Sequence, residues 1–209
     1  MTLKLHCFGE SGHSYKAALA LELGPLDWEP LHVDFFSGGT RSDAYRETNP
    51  MAEAPVLVDG DLTLSQSGVI QSYLTEKTGM FGGETVADER EVLRWMLWDN
   101  HKLSSQAGVL RFLMNFIPEE KRSADVLAFL EGRLLSALKV LEAHLTQRDW
   151  IVGRSVTNAD LTCCGYLFYT EPFSFSRSEW PAIDKWLSRI ENLSGWKHPY
   201  DLMQRAYSG

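Results

Sequence analysis

Cysteine is scarce in this chain: three in 209 residues, Cys7, Cys163 and Cys164, the last two adjacent. Such a set makes a poor disulfide framework, and without a Cys-x-x-Cys pair it gives no support to dithiol redox chemistry of the thioredoxin type. A reducing cytoplasm is therefore the expected setting. Basic residues are also in deficit, 20 Lys and Arg against 28 Asp and Glu, and they form no cluster. Long-range attraction to nucleic acid or to an anionic membrane is not expected from such a chain. Apolar runs are broken by charges before they reach about 18 residues, so neither a membrane span nor a signal peptide is expected. The six histidines lack HExxH or comparable ligand spacing, and no metal is expected.

What is present suits a soluble globular protein of one large or two small domains. Hydrophobic residues make up 44% and charged residues 23%, with seven Trp and ten Phe available for a core. Residues 3–9 (LKLHCFG) read as a buried strand, and SYKAALALELG as a helix stopping at Gly24. A second strand is expected over 28–35, then loop and weak helix closed by Asn49-Pro50. PVLVDG and LTLS meet at an Asp-Gly, a strong hairpin signal, and a helix follows from about Ser67 to Lys77. After the linker MFGGE, strand patterns disappear. A very long helix is expected from a Thr85/Asp88 capping box to about Ile117, and a second from about Glu120 to Thr146. A second box, Thr157 with Asp160, opens a further helix, and two more fit 181–192 and 196–206. The expected division is an α/β domain over 1–79 and an all-helical domain over 85–209.

Two features of the first domain invite a ligand. Ser11 sits in the polar turn between the first strand and the first helix, where unpaired N–H groups point outward; capping of that helix is the plainer reading. Pro55 opens an apolar strand although it lacks an N–H for a ladder, and Gln66-Ser67 stand just ahead of the helix GVIQSYL. A cis Pro55 would turn the backbone of Val56 outward to pair with an extended peptide. Ser67, at a helix N-terminus, suits a carboxylate. One ligand with a peptide backbone and an α-amino acid end fits both.

The chain resembles a cytosolic glutathione S-transferase of the bacterial serine type (theta-, nu- or beta-like). SGHSYKAALAL is similar to that family's SGNSYKVRLAL. The segment NPMAEAPVLVDGDLTLSQSGVIQSYL is similar to NPxGxVPVLxDGxxxLxESxAIxxYL, and VGRSVTNADL to its GxxxSxADI capping segment. The resemblance implies an α/β thioredoxin-like N-terminal domain plus an all-α C-terminal domain, assembled as a homodimer with one glutathione site per chain. It implies glutathione as co-substrate, a hydrophobic small-molecule electrophile as second substrate, and attack of the glutathione thiolate on that electrophile. On this sequence it makes Pro55 the cis-proline, pairs Val56 with the cysteinyl backbone, and puts Gln66 and Ser67 at the γ-glutamyl end. Ala54 and His13 join the glutathione-binding set, and Ser11 hydrogen-bonds the sulfur. A hydrogen bond to a charged acceptor contributes about 1.5–3 kcal/mol, which lowers a thiol pKa by roughly one to two units.

The chain departs from the pattern at several places. Glu53 stands where many relatives have Lys or Gln near the glycyl carboxylate, and a carboxylate there would repel the ligand. His13, Lys16 and Arg41 are candidate replacement donors. Gln66 takes the place of the commoner acidic residue. Along RWMLWDNHKLSSQAGVLRF, Trp98, His101, Ser105 and Phe112 recur at helical spacing. Helix packing explains such a stripe; alternatively Trp98, His101 and Ser105 line the electrophile pocket with Tyr166 and Tyr169 opposite. Cys7 reads as a buried, inert thiol. Rival functions are glutathione-dependent reduction or isomerisation, and a non-catalytic protein that keeps the fold as an interaction module.

Overall fold

The computed structural model describes residues 2–207. They form two compact units: one runs to Gly82 and resumes at Leu193, the other is Gly83–Asn192.

The first unit is built on a four-stranded sheet of β1 (Leu3–Cys7), β2 (Trp28–His32), β3 (Val56–Asp59) and β4 (Leu62–Ser65), in the order β2-β1-β3-β4. β1 and β2 run parallel, from Leu3 opposite Trp28 to Cys7 opposite His32. α1 (Gly12–Glu22) makes the crossover between them. Pro30 is tolerated because β2 is an edge strand, where a missing N–H need not cost a ladder bond. β2 stops at His32, short of the expected Phe35, because the chain turns there with Phe35 N–H donating to the Val33 carbonyl. β3 and β4 form the expected hairpin, closed by Gly60 at φ 60°, with Asp59 opposite Leu62.

Small residues let α1 lie inside this unit: Ala17, Ala18 and Ala20 are all buried. It packs on α3 (Ser67–Thr78), and Gln71 Nε2 donates to the Lys16 carbonyl. α2 (Asp43–Thr48) is a short exposed helix capped by the Ser42 hydroxyl.

In the second unit, α4 (Val86–Trp98) starts at the expected Thr85/Asp88 box. The single long helix expected to Ile117 is interrupted by a π-helical turn, Asp99–Leu103, before α5 (Ser104–Phe116). There the buried Asp99 carboxylate accepts the Ser104 hydroxyl at 2.8 Å. α6 (Ala124–Leu145) begins at Ser123, whose hydroxyl accepts the Val126 N–H; residues 119–121 form a separate 3-10 turn. α7 (Asn158–Cys163) and α8 (Pro181–Glu191) complete the unit. Asp160 joins three segments here. It accepts from the N–H groups of Ile151 and Thr157, the Thr157 hydroxyl and the Trp186 indole N–H.

The C-terminal segment departs from the expected grouping. Of the helix expected over 196–206, only α9 (Pro199–Leu202) forms, and the segment packs on α1 of the first unit. Tyr15 donates to the Lys197 carbonyl at 2.9 Å, and Lys197 pairs with Glu22.

Candidate active site

One row of residues brings the candidate groups of the first unit to the same end of the sheet. Val56 stands opposite His6 of β1 on one side and opposite Ser65 of β4 on the other. β1 therefore leaves the sheet toward Ser11 at the end where β3 enters from Ala54-Pro55 and where β4 leaves toward Gln66-Ser67. The N-termini of α1 and α3 both begin there, and exposed N–H groups at helix starts favour anionic ligands.

Ser11 is the N-cap of α1 and nearly buried. Its Oγ accepts the Ser14 N–H at 3.1 Å. Capping uses a lone pair and leaves the hydroxyl hydrogen to donate, so the capping role and a donor role toward a thiolate are compatible. The turn before it is tight. A Cβ on Gly9 would lie 3.1 Å from the Met203 carbonyl oxygen and 3.2 Å from the Arg205 Cα.

The neighbouring Glu10, which sequence reasoning passed over, is almost fully buried and clamps the end of the chain. Its carboxylate accepts from Arg205 Nε and from the backbone N–H groups of Ala206 and Tyr207. The Tyr207 ring meets Phe36 at 5.0 Å between centroids. The signal was faint: a lone acid between glycine and serine in a turn.

The Ala54–Pro55 peptide is cis. Val56 corrects the expectation placed on it, because strands flank it on both sides and it has no free edge for a peptide. Ala54, just outside β3, has backbone groups that pair with no other described residue. The preceding carbonyl, of Glu53, accepts from Tyr45 Oη at 3.0 Å and Asn49 Nδ2 at 2.8 Å, which ties this loop to α2.

Gln66 caps α3 with a left-handed backbone, φ 70°, a conformation unusual for a non-glycine residue. Its Nε2 donates to Glu53 Oε2 at 3.0 Å. Ser67, half-buried, is the first residue of α3.

Two of the three replacement donors, His13 and Lys16, offer no exposed charge. Burial, helped by Lys16, pushes His13 down to about 3, so it is neutral at ordinary pH and offers no charge to a carboxylate. Lys16 is itself buried on α1, while Arg41 is exposed. Burial pushes the Cys7 thiol up to about 12, and Cys163 and Cys164 are buried too.

The stripe expected in the second unit is split by the π turn, which adds a residue to the helical repeat. Trp98 packs edge-on to Trp95 and lines a hollow of about 350 Å³ with Lys102, Arg133, Ala137 and Val140. Tyr166 instead packs against Gly108 of α5, where an added Cβ would lie 2.9 Å from its ring, and beside Tyr169. Tyr166 is not among the residues that line the Trp98 hollow. The His101 ring is exposed, and its carbonyl accepts the Ser105 hydroxyl at 2.8 Å. Among the described residues no group of three metal-ligating side chains assembles, and no helix is long and apolar enough to cross a membrane.

Comparison with known proteins accords with this arrangement. Residues 1–76 match the glutathione S-transferase N-terminal domain model, and residues 105–194 match the C-terminal domain model. Glutathione S-transferase F10 of Arabidopsis thaliana is 28% identical over 198 residues, 88% of this chain and 90% of the relative. The disulfide-bond oxidoreductase YfcG of Escherichia coli is 26% identical over 192 residues, 88% of each chain. A crystal structure of glutathione S-transferase from Pseudomonas fluorescens superimposes with a TM-score of 0.88 at 27% identity, over 95% of this chain and 99% of the other.

Proposed function

Because the chain belongs to the glutathione S-transferase family, we propose that its first unit binds glutathione and activates the thiol for attack on a hydrophobic electrophile. The observation that carries this reading is the row His6–Val56–Ser65, which sets Ser11, Ala54-Pro55 and Gln66-Ser67 at one end of one sheet.

The idle backbone of Ala54, in place of Val56, pairs with the cysteinyl residue. The Ser67 N–H and hydroxyl hold the γ-glutamyl α-carboxylate at the start of α3. Ser11 donates its hydroxyl hydrogen to the sulfur, favouring the thiolate, and the N-terminus of α1 adds up to about 1 kcal/mol. The thiolate then forms a C–S bond to the electrophile, whose leaving group departs with the bonding pair. Trp98, His101, Ser105 and Tyr166 of the second unit are the proposed electrophile contacts. Leu93 and Leu97 on α4 and Phe129 on α6 are exposed apolar side chains, which supports a homodimer. A cytoplasmic setting completes the reading.

The likeness to a disulfide-bond oxidoreductase favours one second reading, glutathione-driven disulfide reduction. Two glutathione thiols would give up their protons and two electrons, leaving glutathione disulfide and two product thiols. The buried protein cysteines take no part. Parallel assays of aryl-halide conjugation and of glutathione-dependent disulfide reduction decide: turnover in the first supports the proposal, turnover in the second alone replaces it, and turnover in neither removes both.

A further inference from the structure

We infer that Glu53 supplies the negative charge for the α-ammonium group of the bound γ-glutamyl moiety, with Gln66 as its positioning partner. This inference rests on the glutathione reading above. An α-amino acid end carries both an anion and a cation. The start of α3, with the Ser67 N–H and hydroxyl, suits the anion. Gln66 beside it is neutral and cannot balance the cation.

The missing charge lies one hydrogen bond away. Gln66 Nε2 donates to Glu53 Oε2 at 3.0 Å, bridging 13 positions of sequence and bringing a carboxylate beside the first turn of α3. The Gln66 amide donates with nitrogen, so its Oε1 is left to accept from an ammonium, and the second carboxylate oxygen of Glu53 can accept alongside it. Glu53 is held there by its backbone. Its carbonyl is fixed by Tyr45 and Asn49, and the turn before it is set by Ala52 at φ 56° and by the Met51 N–H donating to Asn49 Oδ1. Among the described residues no lysine or arginine pairs with Glu53, so its charge is available to a ligand. The site accordingly selects γ-glutamyl thiols with a free α-amino group. The carboxylate expected from sequence to repel the glycyl end sits instead against the residue of the γ-glutamyl end.

Calorimetric titration of the whole protein with glutathione and with its deaminated analogue tests this. The wild type binds glutathione about tenfold more tightly than the analogue, the equivalent of one charge-assisted contact. Glu53→Gln loses that preference while keeping its affinity for the analogue, and the double variant Glu53→Gln/Gln66→Glu regains it. Wild-type binding of glutathione with Glu53→Gln unchanged or tighter would overturn the inference alone. So would equal weakening toward both ligands, the mark of a merely structural role. A wild type that binds neither ligand would overturn the glutathione reading and this inference with it.

Discussion

The Ser11 hydroxyl oxygen accepts the Ser14 N–H at 3.1 Å, so the residue assigned to the thiolate is also the N-cap of the helix behind it. Substitution by alanine removes both roles at once, and substitution by aspartate separates them. Aspartate caps as well as serine but, ionised, has no hydrogen to donate. Ser11→Ala is expected to lose about 1 kcal/mol of stability and most of the activity. Ser11→Asp keeps the stability and still loses the activity. Denaturant unfolding and initial rates on the same samples check this; an active Ser11→Asp protein would make Ser11 a cap only.

Asp160 is the acceptor for four donors from three segments of the second unit. Asp160→Ala leaves the Trp186 indole and two backbone N–H groups buried without it, at a cost of at least about 3 kcal/mol. Burial pushes the Asp160 carboxyl up to about 6 from an ordinary 3.8, against the pull of its donors. The folded state then holds this proton more tightly than the unfolded state. Stability contributed by this residue therefore falls as pH rises from about 4 through 6 and is level above about 7. Stability of the wild type minus that of Asp160→Asn, followed over that range, should decline; a rise would contradict the burial argument.

Glu10 ties the end of the chain to the turn that carries Ser11. Glu10→Ala leaves the Ala206 and Tyr207 N–H groups without their acceptor. Hydrogen exchange at these two amides should accelerate at least tenfold, since opening no longer breaks a charge-assisted bond. Unchanged exchange there would show that the tail is held by its aromatic contacts instead.

With its thiol pushed up to about 12, Cys7 is protonated at neutral pH, and Cys163 and Cys164 are buried. None should react with a thiol reagent in the native protein, and all three should react in denaturant. Activity of a Cys7→Ala variant, if it folds, should match wild type for conjugation and for disulfide reduction alike. A loss confined to reduction would give the cysteine a role that its burial argues against.

Local signals carried over well from sequence to structure. The Asp-Gly hairpin and the Thr85/Asp88 box both appear, since each depends on residues within four positions. The proline at the head of β3 also proved informative, because no ladder needs its N–H. Features set by distant partners were not readable. The π turn at 99–103 breaks a pattern whose apolar spacing runs on through it. The return of residues 193–207 to α1 depends on Glu10, Glu22 and Tyr15, none of which announces a partner some 180 positions away. The same holds for Val56 and Glu53. Their identities were plain, but strand register and a side-chain bond across 13 positions fix their surroundings.

The proposed chemistry depends on Ser11 favouring the thiolate of bound glutathione, and the thiol pKa of the bound ligand reads this directly. Ultraviolet thiolate absorbance should be followed against pH for the wild type, Ser11→Ala and Ser11→Asp at saturating protein. In the wild type the bound thiol should be about one to two units more acidic than free glutathione, with that shift lost in both variants. Tight binding with a thiol pKa equal to that of free glutathione, or a shift that survives both substitutions, would contradict it.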